Sequence, residues 1–127
     1  MGDNKGLVLL VDDDADFAKV MKIYFEQSGL ELVAAQSGKK ALKAFDARQP
    51  DVMILDINMP KMGGVEVCRQ IRAKLGIRHI PIIALTGFDS DENKKQMLAV
   101  GADLYLTKPI DMKKLVTHVL AAMPPER

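Results

Sequence analysis

The sequence predicts an α/β protein built on an open, doubly wound parallel sheet. Short apolar runs alternate with helix-period segments five times along the chain. The runs are four or five residues long without polar alternation, the pattern of strands buried on both faces. Charged residues then close three of them. Asp12-Asp13-Asp14 follow Leu7 to Val11, Asp56 follows Asp51 to Leu55, and Lys108-Pro109 follow Leu104 to Thr107. In an open parallel sheet, ligand chemistry gathers at such carboxyl ends.

The first strand is 7–11. Phe17, Val20, Met21, Tyr24 and Phe25 then recur at i, i+3, i+4, i+7 and i+8. That spacing predicts one inward helical stripe, closed by Gly29. Asp14 is the natural cap of this helix. Strand two is 30–34, and Ser37 caps a helix carrying Ala41, Leu42 and Phe45 inward. Pro50 ends that helix's connection to strand three, 51–55. Asn58-Met59-Pro60-Lys61-Met62-Gly63-Gly64 reads as a loop from its proline and paired glycines. A helix through Val67, Cys68, Ile71 and Leu75 stops at Gly76, and strand four is 81–85. Asp89 with Glu92 resembles a capping box for a helix running to Gly101. Strand five is 103–106. Asp111 caps a last helix with Met112, Leu115, Val116, Val119, Leu120 and Met123 inward, and Pro124-Pro125 stops it.

Alternation of this kind places helices on both faces of the sheet through right-handed crossovers. Five strands in this length suggest a flavodoxin-like (βα)5 order, 2-1-3-4-5. That order sets Asp12 and Asp13 beside Asp56, with Lys108 near. Carboxylates brought this close repel unless a cation joins them. Oxygen ligands suit Mg²⁺, and Mg²⁺ beside a lysine suits a phosphoryl group.

The 127 residues suffice for one domain with its own core. A net charge of +1 argues against a strong field for nucleic acid or membrane. A single cysteine excludes an internal disulfide and suits a reducing compartment. No apolar stretch approaches the roughly 18–20 residues of a membrane span. The polar start lacks a signal-peptide apolar region. The expectation is a cytoplasmic domain over 6–123, with flexible ends at 1–5 and 124–127. It is either a single-domain regulator or part of a longer protein.

Taken together, Leu-Val-Asp12-Asp13, Asp56-Ile-Asn58-Met59-Pro60, Ala-Leu-Thr86-Gly87 and Leu-Thr-Lys108-Pro109 resemble the receiver domain of two-component response regulators. The resemblance implies that Asp56 accepts a phosphoryl group from a histidine kinase or a histidine phosphotransfer protein. It implies Mg²⁺ held by Asp13, Asp56 and the Asn58 carbonyl, with Asp12 acting through water. Thr86 and Lys108 would contact the phosphoryl oxygens, and Lys108-Pro109 would be a cis bond. Thr86 and Tyr105 would switch a face made of the fourth helix, fifth strand and fifth helix, which meets an output domain or target protein. Such a protein catalyses only its own phosphorylation and dephosphorylation. It needs no direct contact with nucleic acid or membrane.

The chain departs from the family where many members carry Met-Asp-Gly: here Met62-Gly63-Gly64 stand. Phe88, two after Thr86, is large and apolar, and with Asn58 it would govern water's access to the phosphoryl group. Plainer readings remain beside these. Thr86 serves equally as a structural strand-end hydroxyl, Tyr105 as a fixed surface aromatic, and Lys108 as a solvated lysine. Arg69, Arg72, Lys74 and Arg78 read as a solvated helix face. His79 and His118 lack metal-ligand spacing, and Cys68 reads as a core residue. A phosphohydrolase of the haloacid-dehalogenase type would need Thr or Val where Asp16 stands. A degenerate receiver would lack the acceptor, metal acid or lysine, and a flavodoxin would need a flavin-stacking loop.

Overall fold

The computed structural model describes residues 6–74, 79–87 and 90–124. Five parallel strands stand in the order β2-β1-β3-β4-β5. They are β1 (Gly6–Val11), β2 (Leu30–Ala35), β3 (Val52–Leu55), β4 (Ile82–Thr86) and β5 (Leu104–Thr107). The helices between and after them are α1 (Ala15–Gln27), α2 (Gly38–Ala47), α3 (Gly64–Ala73), α4 (Asp91–Ala99) and α5 (Met112–Ala122). The strand order is the predicted one, and strand and helix bounds differ from the sequence reading by a residue or two.

The period of two in the strands divides the core. Leu9, Val11, Met53, Leu55, Ile82 and Ala84 point to one face, where Ala41, Phe45, Val67, Cys68, Ile71 and Met97 of α2, α3 and α4 cover them. Val8, Leu10, Val52, Ile54, Ile83 and Leu85 point to the other, under Ala18, Met21, Phe25, Leu115, Val116 and Val119 of α1 and α5. Both faces are therefore buried, which is why the strands read as unbroken apolar runs.

Helix starts follow local chemistry. Asp14 accepts from the Asp16 and Phe17 amides, Ser37 from Lys40, and Asp111 from Lys113. Each satisfies donors that the first turn leaves unpaired. Gly29, just past α1, has φ of 83°, a left-handed conformation that glycine adopts without strain.

Several helix readings need correction. Val20 and Tyr24 are exposed rather than inward, and so is Leu120. Val20 lies about 100° round the helix from Met21, and Leu120 the same from Val119. A helix with a sheet on one side and no layer above it buries a narrower arc than its apolar residues suggest. α4 is capped by Ser90, whose hydroxyl accepts from the Asn93 amide. The cap thus falls one residue after the expected Asp89, which itself lies outside the described residues. So do Leu75, Gly76, Arg78 and Pro125, along with 1–5 and 126–127.

Because Phe45 is fully buried, Phe45→Ala should lower unfolding free energy by about 3–5 kcal/mol. Ile23→Ala, at a side chain 58% exposed, should change it by less than about 0.5 kcal/mol. Urea denaturation of the two variants checks both values.

Candidate functional site

Parallel pairing sets the site's acids level. Val11 is in register with Leu55, and Leu55 with Ala84. One residue beyond, the Asp12 amide donates to the Ala35 carbonyl (3.1 Å) and the Asp56 amide to the Val11 carbonyl (2.9 Å). The two acids are thus tied to the sheet by their own main chain. Asp12, Asp13 and Asp56 each bring a carboxylate oxygen within 4.8 Å of the others. Asp12 and Asp56 are buried, and Asp13 is exposed at the mouth.

Lys108, after β5, reaches across to Asp12 with Nζ 2.7 Å from Oδ2. Its ammonium also lies 4.4 Å from the centre of the Phe17 ring, a cation–π distance. The Lys108 amide donates to the Thr86 carbonyl (2.7 Å), and the Lys108-Pro109 peptide is cis. Asp12 Oδ1 accepts from the Asp14 amide at 2.9 Å. Among the described residues, one lysine pair answers three acids. Two like charges 4.8 Å apart cost about 3–4 kcal/mol at the effective dielectric of a protein surface. With all three acids ionised, the cluster and its lysine leave a net charge of −2.

Burial pushes the Asp56 carboxyl above its ordinary range. The Asn58 amide, which donates to Asp56 Oδ1 (3.2 Å), pulls it back, as does Lys108, while Asp12 and Asp13 push it further up. The Asn58 side chain turns the other way, its Nδ2 donating to the Thr86 hydroxyl at 3.1 Å. Thr86 is fully buried at the end of β4. A chain of contacts thus runs from Asp56 through Asn58 to Thr86 and β4.

The loop after β3 closes on itself tightly. The Gly64 amide donates to the Ile57 carbonyl at 3.1 Å. A Cβ on Gly64 would overlap the Asp56 carbonyl oxygen and stand 2.9 Å from the Ile57 Cα. Only a glycine lets α3 start so near the end of β3.

The donor set is hard oxygen, anionic and convergent, as Mg²⁺ prefers, with one ammonium alongside. A model of the response regulator receiver domain matches residues 8–120. The chain belongs to that family.

As a receiver domain of the two-component type, it is of a kind phosphorylated on aspartate, and receiver domains bind Mg²⁺ at such an acidic pocket. They are signalling domains that work with histidine kinases and output domains. The receiver shares 34% identity over 116 residues with the alkaline phosphatase synthesis transcriptional regulatory protein PhoP of Bacillus subtilis, covering 91% of this chain and 48% of that protein. It spans about half the length of that relative. The receiver domain of the Francisella response regulator 1452 superposes with a TM-score of 0.84 at 34% identity, over 93% of this chain and 96% of that one. Vibrio cholerae chemotaxis protein CheY4 does so at 0.87 and 31%, over 94% and 99%. No helix among the described residues is long and apolar enough to cross a membrane.

The receiver brings together Asp12, Asp13, Asp56, Asn58, Thr86 and Lys108. Tyr105 lies on the neighbouring strand in register with Ala84, part-buried against the α2–α4 face of the core. Phe88 lies outside the described residues. Sequence reasoning assigned Phe17 to the core alone and missed its place beside Lys108. No spacing signals a contact between a first-helix ring and a fifth-strand lysine. Cys68 is buried as expected. Arg72 is no solvated face: it binds the Gly101 and Ile80 carbonyls and Asp103.

The raised Asp56 carboxyl has a signed consequence. The folded state holds that proton more tightly than the unfolded state does. Stability from this group therefore falls as pH rises from the ordinary carboxylate value through the raised one. Without divalent metal, Asp56→Asn should raise the melting temperature, and the gain should grow with pH across that window. Calorimetry from acid to neutral pH in a chelator measures it.

Proposed function

We propose that this receiver takes a phosphoryl group on Asp56 from a histidine kinase or histidine phosphotransfer protein and relays its charge to a partner-binding face. The observation that carries the reading is the meeting of Asp12, Asp13 and Asp56 with Lys108 at the carboxyl ends of β1, β3 and β5. Asp56 ends a central strand, and the other acids face it from β1.

A carboxylate oxygen of Asp56 attacks the phosphorus of the donor's phosphohistidine. The phosphorus–oxygen bond forms as the phosphorus–nitrogen bond breaks, and its electron pair stays on the leaving imidazole. Asp13, Asp56 and the Asn58 carbonyl would hold Mg²⁺, with Asp12 acting through water, and the bound ion would supply positive charge beside the transferred oxygens. Lys108 exchanges its hold on Asp12 for a phosphoryl oxygen and offsets the charge that develops there. The chain thereby promotes its own phosphorylation, and its own dephosphorylation when water replaces the donor. Asn58 and Phe88 would set how that water approaches. No direct nucleic-acid or membrane contact is required, and a cytoplasmic domain over 6–123 fits the reading.

Thr86 gives the relay its first step. Its hydroxyl accepts from the Asn58 side chain, so a new acceptor oxygen at Asp56 would compete for the Asn58 N–H and draw the Thr86 O–H toward itself. Tyr105 would follow, altering the face of α4, β5 and α5 that meets an output domain or target.

Incubation with a small acyl phosphate and Mg²⁺ should add one phosphoryl mass, measured by intact-protein mass spectrometry. Asp56→Asn should abolish the gain, and Asp13→Ala should remove its dependence on Mg²⁺. Lys108→Ala should slow it by about a hundredfold or more. Label persisting in Asp56→Asn would refute the acceptor assignment.

Thr86→Ala should leave Asp56 phosphorylation largely intact while blunting its effect on α4, β5 and α5. Amide chemical shifts with and without beryllofluoride report this. Equal shifts in wild type and variant over residues 90–123 would remove Thr86 from the relay.

A further inference from the structure

Gly38 opens α2, and its φ is not in the left-handed region. Helix propensity alone would favour alanine there. The reason for glycine lies across a gap in the chain. A Cβ on Gly38 would stand 2.8 Å from Cβ, Cγ and Sδ of Met62. Met62 Cβ is fixed to the main chain, so rotating the methionine cannot relieve the clash: the backbone at 38 or at 62 must move.

We propose that Met62, seated on Gly38, is a positioning residue that holds the loop carrying Asp56 and Asn58 in its cation-binding shape. The inner limb of this loop is anchored at two side chains and one main-chain bond. Ile57 and Met59 are buried, and the Gly64 amide closes on the Ile57 carbonyl. The outer limb is different. Of residues 60–62, Pro60 and Lys61 are exposed and Met62 alone is part-buried, packed at the edge of the α2–α4 core. Lys61 has φ of 65°, a conformation non-glycine residues adopt only when neighbours hold them there. The seat on Gly38 is the neighbour at hand. A cavity of roughly 500 Å³ lined by Ser37, Gly38, Lys39, Pro60, Lys61 and Met62 opens beside the contact. A displaced limb has room to move without unfolding the protein, and its movement would reach the Asn58 main chain four residues upstream.

The inference rests on the reading that this loop helps bind Mg²⁺, and its test separates the two. Mg²⁺ affinity would be measured by calorimetric titration of wild type, Gly38→Ala, Met62→Gly and the double variant, with amide chemical shifts of residues 57–63 recorded free of metal. Gly38→Ala should weaken Mg²⁺ about fivefold to tenfold. In the Met62→Gly background, where the obstructing Cβ is gone, the same change should cost less than about twofold. Met62→Ala, which unseats the limb without touching α2, should also weaken Mg²⁺ measurably. Equal loss from Gly38→Ala in both backgrounds, or undiminished affinity in both Gly38→Ala and Met62→Ala, would overturn the proposal. If wild type binds no Mg²⁺, the metal reading fails instead. The metal-free shifts then decide the seat: loop amides should move in Gly38→Ala, and the same change should move them little in the Met62→Gly background. Unmoved amides in Gly38→Ala would refute it.

Discussion

Electrostatic repulsion among Asp12, Asp13 and Asp56 is the constraint around which this molecule is organised. Three carboxylates within 4.8 Å of one another will separate unless something stiffer prevents it. Here the stiffness comes from the sheet. The main-chain amides of Asp12 and Asp56 are bonded into it, and the strands behind them are packed on both faces. The short apolar runs of β1 and β3 therefore do more than form a core. Their burial provides the rigidity that keeps like charges together, so the site is a place where arriving positive charge is strongly favoured.

Lys108 relieves part of this repulsion, and its own position is set from two sides. Asp12 holds the ammonium, and the Phe17 ring lies under it. The lysine is thus neither a free surface cation nor a fixed member of the acid cluster. Its main chain directly follows β5 and is bonded to β4 at Thr86, while its charge is paired on the β1 side with Asp12. Any anion that draws the ammonium away from Asp12 changes the balance in three strands at once. Asn58 makes a similar bridge, since its amide nitrogen serves Asp56 and its side chain serves Thr86.

What was legible in the sequence depended on the range of the physics involved. Strand ends were legible because a run buried on both faces stops abruptly at a charge, as at Val11 to Asp12 and Leu55 to Asp56. Caps at Asp14, Ser37 and Asp111 were legible because they act over two or three residues. Helix faces were less so. Val20, Tyr24 and Leu120 have apolar side chains at helical spacing, yet no second layer exists to cover them. Ser90 and Asp89 are both good caps, and local chemistry could not choose between neighbours. The placement of Phe17 under Lys108, the bridge from Asn58 to Thr86 and the seat of Met62 on Gly38 depend on segments that meet only after folding. No periodicity in the chain encodes them.

The pair of Asp12 and Lys108 spans 96 positions of sequence. Contacts of such separation carry the loop-closure entropy that slows the folding of parallel sheets. During synthesis the amino-terminal part leaves the ribosome first. Asp12, Asp13 and Asp56 are therefore all translated before Lys108, which is paired with Asp12. A nascent chain holding only β1 to β3 would carry its acids uncompensated, and β5 must dock before the charges can settle. The crevice is complete only when β5 has brought Lys108 to Asp12, so an assembled acid site marks a sheet already closed on its last strand.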